Sequence, residues 1–210
     1  MNRKSFVAMM ALVVAVVMAG SAMAAPVFSD DFESGLSLWT AKSGGTTSGQ
    51  IIVDPMNNGN HVLHFTDTVI AGDIFSSQPF AANPNQMYRL SFDFLGEPGD
   101  GAIDSGGFIG YANGTSYSLH HWVAGTERRY IDAGSTVLQD NVGWKHYNVL
   151  FKPAFSSIRV MLEDFAYAGD VAGDAYFDNI RVTAVPLPAA GWAGLGLLGV
   201  MGIIRRRMHA

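Results

Sequence analysis

Between Tyr88 and Phe94 the chain alternates without a break, with Tyr88, Leu90, Phe92 and Phe94 on one side and Arg89, Ser91 and Asp93 on the other. A period of two gives one apolar and one polar face only to an extended strand, since a helix would need a period of 3.6. The pattern returns in Tyr147, Val149 and Phe151, and again in Ile158, Val160 and Leu162. Shorter stretches of the same kind run over residues 50–54, 61–67, 108–112, 117–123 and 175–182. Turn signals separate them: Asn57-Asn58-Gly59, Glu97-Pro98-Gly99-Asp100-Gly101 and Ala112-Asn113-Gly114. No helical period interrupts the series before the last 26 residues. Many short strands about 8–12 residues apart predict one all-β domain, a sandwich or barrel.

The chain has no cysteine, so this domain stands on its apolar core without disulfides. All eighteen acidic residues lie between Asp30 and Asp178, whereas five of the thirteen basic ones lie at the two ends. The central region therefore carries eight basic against eighteen acidic groups, a formal charge of −10. A surface of that sign excludes nucleic acid and anionic lipid as partners, both of which demand positive charge. It is compatible with neutral polysaccharide and with divalent cations.

The ends have a different chemistry. Met1-Asn2-Arg3-Lys4, an apolar run from Phe6 to Ala19 and the small-x-small site Ala22-Met23-Ala24 have the layout of a secretory signal peptide over residues 1–24, with a retained anchor as the alternative. At the other end, Val185-Pro186-Leu187-Pro188-Ala189-Ala190 leads into an uncharged run that closes with Arg205, Arg206 and Arg207. As a helix, residues 188–204 span roughly 25 Å at about 1.5 Å per residue, a little short of the roughly 30 Å hydrocarbon layer. The three arginines would stop transfer and hold the C-terminus on the cytoplasmic side. The prolines keep the preceding peptide extended, in a form a processing enzyme can grip. The expected organisation is a signal peptide (1–24), a domain (25–184) and a tail (185–210).

This tail resembles the PEP-CTERM sorting signals of Gram-negative bacteria, in the variant whose motif is Val185, Pro186, Leu187, Pro188 and Ala189. The resemblance implies an exosortase-type processing enzyme as a partner. It also implies an inner-membrane intermediate held by the C-terminal transmembrane helix, followed by delivery to the cell surface or the extracellular matrix. The alternative is an ordinary C-terminal anchor that is never processed.

Two further stretches bear on the domain. It opens with Phe32-Glu33-Ser34-Gly35 followed by Trp39, and it closes with Phe177-Asp178-Asn179-Ile180-Arg181-Val182. Together they resemble the ends of galactose-binding-like jelly rolls, among them many carbohydrate-binding modules. That resemblance implies a jelly-roll β-sandwich whose first and last strands lie close together and are often joined by a structural calcium ion. Asp178 shares parity with Ile180 and Val182, so in a strand without a bulge it points inward, where an unpaired carboxylate is costly. Glu33 and Asp31, with carbonyls near Asn58 to Asn60, are the expected oxygen donors for Ca²⁺ beside Asp178. The competing reading gives Asp178 backbone amides at a bulge instead of a metal. The sequence Asp54-Pro55-Met56-Asn57-Asn58-Gly59 is a hairpin turn and not a calcium loop, because Met56 stands where a ligand is needed.

The aromatic-rich stretch from Phe108 to Tyr130 is the candidate glycan surface. Flat rings flanked by hydrogen-bonding groups match the apolar faces and hydroxyl rims of sugars. Tyr111, Tyr117, His120 and Trp122 are the expected contacts, with Trp122 on the side of His120 and opposite His121. His120 and His121 face opposite ways and do not share an ion. Gly45-Thr46-Thr47-Ser48-Gly49 lacks the spacing of a nucleophile elbow. Asp93 and Glu97 are a coincidental acid pair among many carboxylates. The sequence thus predicts a non-catalytic glycan-binding or structural module of the envelope or extracellular polysaccharide matrix. The alternatives are a polysaccharide-acting enzyme and a protein-binding module.

Overall fold

The computed structural model describes residues 25–41, 49–65, 73–96, 106–139, 143–164 and 175–186. The expected signal peptide 1–24, the expected transmembrane helix 188–204 and Arg205, Arg206 and Arg207 lie outside the described residues, as do Leu187, Pro188 and Ala189 of the motif. The turn at 97–101 and the loop at 43–48 lie outside them too.

Among the described residues the structure is all-β. The first strands are β1 (Pro26–Asp30), β2 (Trp39–Ala41), β3 (Gln50–Asp54), β4 (Asn57–Phe65), β5 (Asp73–Ser77) and β6 (Phe80–Ala81). They are followed by β7 (Tyr88–Gly96), β8 (Phe108–Asn113), β9 (Ser116–Gly125) and β10 (Thr136–Val137). The last are β11 (Lys145–Phe151), β12 (Ser157–Asp164) and β13 (Ala175–Ala184). One sheet runs β11-β7-β13-β4-β3, with β1 also on β13; the other runs β10-β9-β8-β12-β5-β2, with β6 also on β12. Every pair is antiparallel except β9 and β10. This is a two-sheet sandwich of the jelly-roll kind.

The alternation sets the core. Tyr147, Val149 and Phe151 of β11 lie opposite Phe92, Leu90 and Tyr88 of β7, and Phe177 of β13 lies opposite Phe94. Ile109, Tyr111, Val123, Ala124, Ile158, Val160 and Leu162 of the second sheet meet this face in one buried cluster. Each fully buried large side chain contributes about 1.5–3 kcal/mol relative to exposure.

Two local features depart from simple strands. The β3–β4 turn sits at Pro55 and Met56, so Asn57, Asn58 and Gly59 belong to β4 and not to the turn itself. Asp54 Oδ1 accepts the Met56 N–H at 2.8 Å and closes that turn. In β13 the register slips between Asp178 and Arg181, where Asn179 adopts a left-handed φ of 51°. Asparagine tolerates that conformation better than most residues.

The bulge corrects the expected direction of Asp178. Phe177 lies in the main core, and Asp178, opposite Asp93, therefore faces away from it; beyond the bulge Ile180 and Val182 face inward again. Asp178 is buried nonetheless, on the outer face of its sheet.

Candidate functional site

The β8–β9 hairpin carries the four aromatic and histidine positions singled out above. Its register places Gly110 opposite Trp122, Tyr111 opposite His121 and Ala112 opposite His120. Residues opposite one another share a face, so Trp122 and His120 lie outward while Tyr111 and His121 lie inward. Side by side with β8, strand β12 sets Arg159 opposite Ala112 and Met161 opposite Gly110. At Gly110 a Cβ would meet the His121 carbonyl oxygen at 2.0 Å, so only glycine permits this approach of β9.

Tyr111 is a core residue and not a glycan contact. Its ring stacks on Phe151 at 5.0 Å and its hydroxyl donates to the Lys152 carbonyl at 3.2 Å. Burial pushes its pKa up. Trp122 points outward as expected but has little free ring to offer, being 7% exposed. It packs in a second small cluster with Phe108, Ala112, Ile131 and Met161, and Tyr117 and Tyr130 lie against that cluster. Residues 126–135 are tied back over this strand, with the Trp122 carbonyl accepting from Asp132 N at 3.1 Å and from Ser135 Oγ at 2.9 Å. That cover comes from a segment without strand periodicity, which is why alternation alone did not reveal it.

Tyr117 and His120 remain. His120 is exposed and Tyr117 half-buried, and His120 Nδ1 lies 3.0 Å from the Tyr117 carbonyl oxygen. His120 also flanks the Trp122 ring at 5.1 Å. Sequence reasoning missed Arg159, whose guanidinium lies over the Tyr117 ring at 4.8 Å and donates to the Tyr117 hydroxyl at 3.1 Å. Its place in an alternating strand marked it only as outward-facing; the contact with Tyr117 needs the sheet order. His121 faces the other way, stacking on Tyr111 and pairing with Asp132 at 2.8 Å.

The expected calcium donors occupy a separate polar network on the first sheet. Asp178 Oδ2 accepts from Asn60 Nδ2 at 2.9 Å and from Asn179 Nδ2 at 3.1 Å, and its Oδ1 accepts from Asn179 N at 2.7 Å. Asn179 Nδ2 also donates to Asp93 Oδ2 at 2.8 Å, and Asp93 Oδ1 lies 2.6 Å from His146 Nδ1. Burial pushes Asp178 up to about 6 against the lowering effect of these bonds, and the negative charges of Asp93 and Asp31 add to the rise. Glu33 accepts from His61 N at 2.8 Å and pairs with His61 Nδ1 at 2.9 Å, which holds its pKa below the usual carboxylate range. Asp31 is exposed and accepts from Glu33 N at 3.3 Å.

Calcium takes six to eight oxygens. Here both oxygens of Asp178 and both of Glu33 face nitrogen, and among the described residues no three acidic or histidine side chains converge. As arranged, the donors do not fit that ion.

No known family's sequence profile matches this chain, and no curated protein does either. Solved structures do match it in fold. The CBM22-1 xylan-binding domain of Paenibacillus barcinonensis Xyn10C aligns over 79% of this chain and 97% of its own, with a TM-score of 0.51 and 16% identity. The CBM22-1-CBM22-2 tandem domain of the same enzyme aligns over 80% and 47%, again at 0.51 and 16%. In the Clostridium thermocellum xylanase 10B CBM22-1-GH10 modules, complexed with xylohexaose, the match covers 77% of this chain and 29% of that one, at 0.52 and 16%. The fold is therefore a jelly roll like that of these xylan-binding domains. At this identity the likeness is one of fold.

Proposed function

We propose that this domain is a non-catalytic glycan-binding module, exported by residues 1–24 and sorted to the cell surface through residues 185–210. The observation that carries the binding reading is the outward group Tyr117, Arg159 and His120 on the β8–β9–β12 face, beside the rim of Trp122. An aromatic ring flanked by hydrogen-bonding groups is the chemistry that holds a sugar. The fold shared with xylan-binding modules supports it. The tail supports sorting by its order of motif, uncharged run and arginine cluster, with an exosortase-type enzyme as processing partner and the extracellular polysaccharide matrix as destination. A role for calcium forms no part of this reading, because both oxygens of Asp178 and both of Glu33 face nitrogen.

The test is affinity electrophoresis of the full chain, purified in detergent, through gels containing soluble polysaccharides such as xylan. Tyr117→Ala should remove retention while changing the thermal midpoint little. Migration of the wild-type protein unaffected by every polysaccharide tried would turn the reading toward a module that binds other proteins.

A further inference from the structure

Among the described residues Arg159 has no counter-ion. Its Nη1 donates to the Tyr117 hydroxyl at 3.1 Å and to Ser76 Oγ at 3.3 Å, and its Nη2 donates to the Gly114 carbonyl. All three acceptors are neutral. Its Nε is buried and meets no acceptor, and among the described residues no carboxylate pairs with it. The residue is nevertheless only half-buried, and it stands on the outward face that carries Tyr117 and His120.

The contrast lies in the rest of the domain. With eight basic against eighteen acidic groups, carboxylates outnumber cations more than two to one. Arg129, by comparison, pairs with Glu127 through two bonds. A half-buried guanidinium whose acceptors are all neutral gains from a charged one, since a hydrogen bond to a charged acceptor is about twice as strong as a neutral one. One Nη2 hydrogen is not used by these bonds, and the Tyr117 hydroxyl, which accepts from Nη1, can donate beside it, so two donors meet an anionic acceptor here.

We infer that the glycan bound at this face carries an acidic sugar, and that Arg159 recognises its carboxylate while Tyr117 packs against the ring. This rests on the glycan-binding reading and names its substrate class. The surrounding negative charge opposes a densely charged polymer, so the fitting ligand is a largely neutral polysaccharide with scattered uronate groups. A sulfate ester presents similar chemistry, and the probes distinguish the two.

The experiment compares three gels: a xylan bearing glucuronate side groups, the same xylan after its carboxyl groups are reduced to alcohols, and a sulfated glucan. Wild-type full-length protein should be retained at least tenfold more strongly by the uronate xylan than by its reduced form, and the difference should shrink in added salt. Arg159→Gln should bring the two xylans level, and Arg159→Lys, which keeps the charge but not the bonds to Tyr117 and Gly114, should fall between. The wild-type comparison stands even if either variant fails to fold. Equal retention by native and reduced xylan overturns the inference and leaves glycan binding intact. Retention by the sulfated glucan alone overturns the choice of carboxylate. No retention in any gel removes the glycan reading itself. If Arg159→Gln lowers the thermal midpoint but keeps the uronate preference, Arg159 is only a clamp between strands, and the inference fails.

Discussion

Asp178 carries the clearest titration in the described residues. Its folded pKa of about 6 lies above that of an ordinary aspartate, chiefly through burial. The folded protein therefore holds a proton that the unfolded chain releases, and the sign follows from linkage. The stabilising contribution is complete below about pH 4, the usual aspartate value, and is lost as the pH rises through about 6. Between pH 4 and 6.5 the thermal midpoint of the wild type should fall relative to that of Asp178→Asn. Excess chelator and millimolar calcium should give superimposable melting curves at pH 7. A midpoint raised by calcium in the wild type, but not in Asp178→Asn, would show that an ion displaces the amides of Asn60 and Asn179. At this scale the sequence was legible for residue types and less so for directions. That His120 and Trp122 share one side was readable from alternation, but not which side faces out. The burial of Trp122 was not, because residues 126–135 cover it from another part of the chain.

At the scale of elements, the long alternating strands were readable because each carries at least three apolar residues at a period of two. Strands β7, β11 and β12 are the clearest, with β3, β4, β8, β9 and β13 visible as shorter candidates. Strands β1, β2, β5, β6 and β10 were not visible. The shortest of them, β2, β6 and β10, span two or three residues and have no room for a period. They are held by their partners, as Trp39 and Thr40 are by Ser77 and Ser76. The bulge in β13 is the case where a sound local rule gave the wrong face. One extra residue exchanges inside for outside, and Asn179 at φ 51° is its only local sign. Asn179→Gly suits the backbone but loses the amide bonds to Asp93 and Asp178, and should cost about 1 kcal/mol. Asn179→Val loses the same bonds and should cost about 1–2 kcal/mol more, since a β-branched side chain fits the left-handed region poorly. Paired urea titrations would check this, and equal midpoints for the two variants would mean that the bulge relaxes without strain.

For the whole molecule, the proposed function makes the two terminal segments decide where the domain works. The surface form should lack Arg205, Arg206 and Arg207, as mass spectrometry of the mature C-terminus would show. Replacing Pro186 and Pro188 with alanine should leave an uncut membrane-bound precursor. An intact C-terminus on the surface protein would reduce the tail to a plain anchor. The strand from which that tail departs has a mechanical meaning. β13 is bonded along one edge to β7 and along the other to β4 and β1. A pull arriving through Val185 would run lengthwise along an interior strand. Bonds on both edges would then be loaded in shear and resist together, whereas a strand peeled from a sheet edge gives way one bond at a time. A module tethered at that end and gripping polymer with its other sheet would hold its shape under drag.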